Sequence, residues 1–205
     1  FSNDLIKTIN EVYPIPKEYK RYKPTSEIYF DFAQMFAKSY AKLDNSEIWN
    51  TLYPHQRTGI LKIQDKLKQY GTAILADGVG LGKTRISAGV IKLSLNDNPE
   101  MKVVIIADKK LHEQWREDLE AVEVNYSNFM FINREMFALL IPSQLDDIAN
   151  NYQMIIIDEG HLGFKNRNTM AYRHAEYVFS HAAGKMKGLI LTATPWNNRR
   201  EDVIN

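Results

Sequence analysis

The sequence predicts an α/β fold in which a parallel sheet is flanked by helices on both faces, a three-layer arrangement. Short apolar runs recur at 72–77, 102–108, 128–133, 153–158 and 188–194. Amphipathic stretches such as TRISAGVIKLSL and LHEQWREDLEAV separate them. Polar residues and glycines gather where the runs end: Asp77 after the first, Asp158 and Glu159 after the fourth, Thr192 and Thr194 at the close of the fifth. Continuously apolar strands that alternate with helices mark a parallel sheet covered on both sides. Such sheets take their ligands beyond the carboxyl ends of the strands, which is where these polar residues lie.

Bulk properties set the outer limits. The chain has 205 residues, 44% of them hydrophobic and 25% charged, an ordinary globular composition with enough length for one α/β domain and a small appendage. The formal net charge is only +1, so any nucleic-acid surface must be a local patch or lie elsewhere. Absence of cysteine excludes disulfides and thiolate metal sites and agrees with a reducing, intracellular setting, cytoplasmic if bacterial. No apolar run approaches the roughly 20 residues of a membrane span. The opening FSNDLIKTINEVY has no signal-peptide pattern and no initiator methionine, which reads as a piece of something longer and not as a secreted protein.

Taken in chain order, residues 1–50 differ from the rest and read as a mainly helical N-terminal extension or linker. YPIPKEYKRYKP, from Tyr13 to Pro24, has the prolines of an extended connector. SEIYFDFAQMFAKSYAKL after it has helical spacing, with Ser26 placed to cap it. Residues 51–205 carry the regular alternation and form the main domain. After its first strand comes ADGVGLGKT, from Ala76 to Thr84. Gly80 and Gly82 let backbone N–H groups turn inward, and a helix opening near Lys83 presents free donors and the positive end of its dipole to a phosphate. In such a loop Lys83 reaches the β- and γ-phosphates and the Thr84 hydroxyl binds Mg²⁺. The strict pattern wants glycine where Asp77 stands, so spacing alone leaves the kind of nucleotide site open. IIIDEGH, from Ile155 to His161, brings two adjacent carboxylates to a strand end. Asp158 there can hold Mg²⁺ opposite Thr84, while Glu159 can orient or deprotonate an attacking water.

ADGVGLGKT, IIIDEGH and LTATP together resemble the first motor lobe of superfamily-two helicases and translocases, with the SWI/SNF-type ATPases as the nearest branch. That branch has a variant loop, typically ADEMGLGKT, in which an acid at the place of Asp77 is usual; Gly78-Val79 here replace Glu-Met. The resemblance implies a RecA-like fold, ATP and Mg²⁺ as ligands, and a loop formed by Asp77, Gly78, Val79, Gly80, Leu81, Gly82, Lys83, Thr84 and Arg85. LYPHQRTGI resembles the adenine-recognition segment, with Gln56 reading the base edge. By similarity, His161, Thr192 and Thr194 couple nucleotide state to the track. VVIIADKKLHEQWREDL resembles the next motif, where Lys109 and Lys110 fall at a phosphate-contact position and Asp108 stands where the family has proline. INREMF loosely resembles the following motif. TPWNNRRED resembles a TPLQNN segment, with Asn198 as the best match. Trp115 matches a family position but reads as core packing.

The implied whole is an ATP-dependent translocase on double-stranded DNA whose second motor lobe follows C-terminally and supplies arginines to the reaction. No membrane enters this picture, and the fragment alone is expected to turn ATP over very slowly. Three rivals stand beside it: an RNA-directed helicase lobe, a phosphate-loop kinase or switch GTPase, and a nucleotide-sensing interaction module without turnover. LTATP and the upstream glutamine disfavour the second, and intact Lys83, Thr84, Asp158 and Glu159 disfavour the third. The remaining histidines lack metal-ligand spacing; His112, His174 and His181 read as surface residues and Asp146-Asp147 as a solvated turn.

Overall fold

The computed structural model describes residues 49, 51–78, 80–164 and 166–193. The predicted N-terminal extension therefore lies almost wholly outside the described residues, as do Val79, Thr194 and Asn198. The described residues belong to the compact unit Glu47–Asn205.

Helix α1 (Pro54–Tyr70) opens with proline at its first position and ends where Gly71 turns left-handed at φ 74°, its N–H bonded to the Leu67 carbonyl. Strand β1 (Thr72–Leu75) follows, then α2 (Lys83–Asp97), β2 (Val103–Ile106), a single 3₁₀ turn (Lys109–Leu111) and α3 (His112–Glu120). Strand β3 (Met130–Ile132), α4 (Arg134–Phe137), α5 (Pro142–Asn151), β4 (Met154–Ile157), α6 (Met170–His181) and β5 (Lys187–Leu191) complete the order. All five predicted strands are present, each a little shorter than its apolar run. Every pairing is parallel, and the spatial order is β1-β5-β4-β2-β3.

That order sets up the site. β4 and β5 enter between β1 and β2, so the ends of β1, β5 and β4 lie side by side although more than seventy residues separate the first from the others in sequence. β2 (VVII) and β4 (MIII) are buried along their whole length, as strands covered on both faces must be. Val104, Ile106, Ile155 and Ile157 pack with Phe137 of α4, Leu145 and Ile148 of α5 and Val178 of α6. Period-two alternation turns Val103, Ile105, Met154 and Ile156 to the other face. There α1, α2 and α3 pack in sequence and contribute the buried Ile60, Ile86, Ile91, Trp115 and Leu119.

Helices α1 and α2 meet at a close approach. A Cβ on Gly89 of α2 would strike the Ile60 side chain, which is fully buried. Gly89→Val is expected to destabilise the domain by about 1–3 kcal/mol through overpacking. Thermal unfolding would read this as a lower midpoint, and an unchanged midpoint would mean α1 has room to move.

Two sequence readings are corrected here. His174 is not a surface residue: it is 9% exposed, and its Nδ1 lies 2.9 Å from the Phe137 carbonyl oxygen, where an N–H would donate. Its place on the inner face of α6 decides this. Asp146 and Asp147 lie within α5, started by Pro142 at its first turn, and not in a turn. Asp146 accepts a hydrogen bond from the Tyr177 hydroxyl at 2.7 Å and Asp147 one from Asn151 at 2.6 Å. Among the described residues no helix is long and apolar enough to cross a membrane.

Candidate nucleotide site

The loop between β1 and α2 ends on Gly82 at φ 79°, a left-handed conformation that favours glycine. A Cβ there would also collide with Nε2 of Gln56. Gln56 itself is 7% exposed and sits in the first turn of α1, its Oε1 accepting the Tyr53 N–H at 3.1 Å. With the oxygen engaged by the backbone, the amide nitrogen is directed to the loop. His55 reaches the same loop, with Nε2 3.3 Å from the Leu81 carbonyl oxygen, and its ring stacks on Tyr53.

Lys83 begins α2 and folds back over the loop, donating from Nζ to the carbonyls of Asp77 at 3.1 Å and Gly78 at 3.3 Å. Its ammonium is thereby held at the loop mouth by two oxygen acceptors. Thr84 is half-buried on the next position. Arg85 takes a different direction, its Nε bound to Asp118 of α3 at 2.8 Å. Burial pushes the Asp118 carboxyl up, and the neighbouring Arg85 charge works against that.

Two backbone bonds link the ends of β1, β5 and β4 in turn. The Thr192 N–H, just past β5, donates to the Leu75 carbonyl at 3.1 Å, and the Gly160 N–H, just past β4, donates to the Leu191 carbonyl at 2.8 Å. Asp158 and Glu159 are thus fixed one strand away from the loop. Asp158 accepts the Trp115 indole N–H on Oδ2 and the Glu159 backbone N–H on Oδ1, each at 3.0 Å. Burial pushes its carboxyl up; the Trp115 hydrogen bond opposes this, the Glu159 charge adds to it, and the Lys83 charge pulls it down. The sequence reading of Trp115 as core was right about its burial, which is complete, and missed this bond. No sequence signal links two residues on different elements 43 positions apart.

Glu159 has φ 48°, a left-handed conformation uncommon for a side chain of this kind. Its Oε2 is buried without a hydrogen-bond partner. The His161 ring nitrogen Nδ1 stands 3.3 Å away, an ion-pair distance without hydrogen-bond geometry, and lies 3.1 Å from the Thr192 hydroxyl. Glu159, His161 and Thr192 therefore form one cluster across the ends of β4 and β5.

A cavity of about 480 Å³ opens beside this cluster, lined by Asp158, Glu159 and His161 together with Lys110 and Arg134. None of the described residues of 77–84 lines it. Lys109 and Lys110 are both exposed in the 3₁₀ turn, and Lys110 lines the cavity. Asp108, unexpected next to a phosphate-contact position, caps that turn: its Oδ1 accepts the Lys110 N–H at 3.1 Å and its Oδ2 lies 3.6 Å from Lys110 Nζ. Capping makes the acid at this position a structural requirement of the short turn.

Whether these residues suit a nucleotide with a divalent cation can be tested on the geometry. Among the described residues no group of three or more His, Cys, Asp or Glu could hold a metal alone. Mg²⁺ needs no such cage, since it is commonly held by one or two protein oxygens together with substrate phosphates and waters. A glycine cradle against Gln56, a lysine at the loop mouth, a carboxylate fixed by two donors and a neighbouring carboxylate oxygen without a partner form a fitting set.

Comparison with known proteins agrees with this geometry. Residues 50–139 match the family described as type III restriction enzyme, res subunit. An uncharacterised ATP-dependent helicase of Bacillus subtilis, YqhH, is 32% identical over 166 residues, covering 76% of this chain and 28% of that protein. The SNF2 domain-containing protein ENL1 of Oryza sativa is 27% identical over 188 residues, covering 76% of this chain and 18% of that protein. The chain thus spans well under a third of either curated relative. Among solved structures, the SWI2/SNF2 ATPase core of Sulfolobus solfataricus in complex with double-stranded DNA superposes with a TM-score of 0.56 at 20% identity, over 75% of this chain and 34% of that one. The UvsW helicase of bacteriophage T4 gives 0.57 at 10% identity, over 74% and 56%. At these identities the two structures show a shared fold, the RecA-like helicase lobe.

Proposed function

Because the chain carries a superfamily-two helicase lobe resembling the SNF2-type ATPases, we propose that residues 51–205 are the ATP-binding first lobe of an ATP-dependent translocase on double-stranded DNA. The observation that carries this reading is the convergence of the Lys83 loop, Asp158 and the unpartnered Glu159 oxygen at three neighbouring strand ends.

Each residue then has a role. Gln56, with its carbonyl already engaged, presents its amide nitrogen to the acceptor edge of a base. The loop backbone from Asp77 to Gly82 and the Lys83 ammonium take the phosphate oxygens. Thr84 and Asp158 would hold Mg²⁺, which when bound neutralises charge building on the phosphoryl oxygens. Glu159 Oε2, desolvated and free of a donor, orients a water and takes its proton. His161 and Thr192 stand between that carboxylate and the β5 end, where a change at Glu159 is passed to the residues beyond. Arg85, held by Asp118, supports the loop helix from outside the crevice. Lys110, which lines the neighbouring cavity together with His161, and Lys109 beside it in the same turn would meet a nucleic-acid phosphate. A second lobe supplying arginine is part of this reading. Such an arginine contributes a factor of roughly 10³–10⁵ to turnover.

Support for the DNA assignment comes from the SNF2-type relatives and from the solved core that is bound to double-stranded DNA. The test is nucleotide binding by this chain, followed by comparison of duplex DNA with duplex RNA as the second ligand. ATP is expected to bind in the presence of Mg²⁺. Duplex DNA is expected to bind weakly and without sequence preference, losing roughly tenfold in affinity between about 50 and 200 mM salt. Preference for RNA would move the reading to an RNA-directed lobe. Failure to bind ATP at millimolar concentration would leave an interaction module.

A further inference from the structure

Helix α3 makes two contacts, one turn apart, and each goes to a different half of the nucleotide site. Trp115, fully buried, donates its indole N–H to Asp158 Oδ2 at 3.0 Å. Asp118, three residues on, accepts Arg85 Nε at 2.8 Å, with only 14% of its side chain exposed. Arg85 directly follows Lys83 and Thr84, so this second bond holds the first turn of α2. The other oxygen of Asp158 accepts the Glu159 N–H, and the Asp158 N–H bonds the Ile106 carbonyl of β2, so the Trp115 indole is the described hydrogen bond that ties the carboxylate itself to a helix of the opposite layer. Packing alone does not call for this arrangement. Any acceptor would satisfy a buried indole N–H, and this one is the carboxylate proposed to face the cation.

From these two contacts we infer that Trp115 and Asp118 are positioning residues that set the distance between Thr84 and Asp158. The inference rests on the nucleotide-site reading above and adds a device to it. Mg²⁺ demands near-ideal octahedral geometry and tolerates little displacement of its ligands. A nucleotide without the cation is gripped by loop backbone and Lys83, which neither Trp115 nor Asp118 touches. Loosening α3 therefore weakens the cation-dependent part of binding and spares the rest. Groups that orient metal ligands from behind are commonly worth 10–100-fold in metal affinity.

The experiment is titration of the full chain with a non-hydrolysable ATP analogue, in excess EDTA and again in saturating Mg²⁺. For Trp115→Phe the affinity in EDTA is expected to stay within about twofold of the parent, while the gain on adding Mg²⁺ falls roughly tenfold. Asp118→Asn is expected to act in the same direction by about threefold, and the double variant to lose less than the product of the two, since both act through one helix. An equal loss with and without Mg²⁺ would reduce both residues to fold support and overturn the inference, as would an unchanged gain. A second measurement needs no variant: the ¹⁵N-indole resonance of Trp115 in the parent should move when Mg²⁺ is added to the analogue-loaded protein. A static resonance would overturn the inference even if Trp115→Phe fails to fold. If the parent binds no nucleotide under either condition, the nucleotide-site reading falls and takes this inference with it. If the parent binds normally and only the variants are silent, this inference falls alone.

Discussion

Lys83→Ala is expected to weaken ATP binding by roughly 10–100-fold while leaving the fold intact. Hydrogen bonds to charged groups contribute about 1.5–3 kcal/mol each, and each 1.4 kcal/mol is about a factor of ten in affinity. In the protein itself Lys83 donates to the Asp77 and Gly78 carbonyls, at 3.1 and 3.3 Å, at the mouth of the loop. A phosphate arriving there would exchange two neutral acceptors for charged ones, so the lysine contributes more to the complex than to the free protein. Its alanine variant should accordingly unfold within a few degrees of the parent, as surface substitutions away from the core do. Isothermal titration with ATP and Mg²⁺, beside thermal unfolding, separates the two effects. Undiminished affinity would mean that the nucleotide binds elsewhere or through the loop backbone alone. Loss of affinity together with a large drop in unfolding temperature would point to a loop that needs the lysine for its own shape.

The fold was legible because its signal is local. Each strand is a short apolar run that ends on a polar residue, and ADGVGLGKT, IIIDEGH and LTATP fall at those ends. The order β1-β5-β4 was not legible, since nothing in the residues of β5 says that it enters between two others. Contacts across elements were equally hidden. Trp115 could be placed in the core from its helix face, but its bond to Asp158 depends on how α3 lies against the β4 end. Arg85 was grouped with the loop because it follows Thr84, while its side chain goes to Asp118 on α3. His174 was misread because histidine is more often outside, and only the packing of α6 against Phe137 reveals a buried acceptor for it. Asp108 looked out of place because a motif comparison sees residue types, whereas the short turn after it needs a side-chain cap.

Glu159→Gln is expected to separate binding from turnover, with the larger effect of the two substitutions. The change preserves the size of the side chain and removes the carboxylate, so Asp158, Thr84 and the loop keep their positions and affinity for ATP with Mg²⁺ should stay within about threefold. Removing a positioned general base costs typically 10²–10⁴ in rate. Here the carboxylate has two features that ordinary surface glutamates lack. Its Oε2 is buried without a hydrogen-bond partner, and its backbone sits at φ 48°. Left-handed backbone in a non-glycine residue costs of order 1–3 kcal/mol and persists where the surroundings over-determine it. A buried oxygen left unsatisfied adds a cost of about the same size. Both are reasons against glutamate here if stability were the sole demand. The variant should therefore unfold within a few degrees of the parent, because Oε2 has no hydrogen bond to lose and gives up only its approach to His161 Nδ1 at 3.3 Å. Phosphate release under single-turnover conditions, followed over hours to capture slow turnover, would give the rate. A rate equal to the parent's would remove Glu159 from the reaction and leave its unusual backbone without a chemical reason. A loss of both affinity and rate would place the residue among the nucleotide's binding groups, with the water activated by something else. Retained affinity with a collapsed rate is the outcome expected if Glu159, with its unsatisfied oxygen at the end of β4, activates the water.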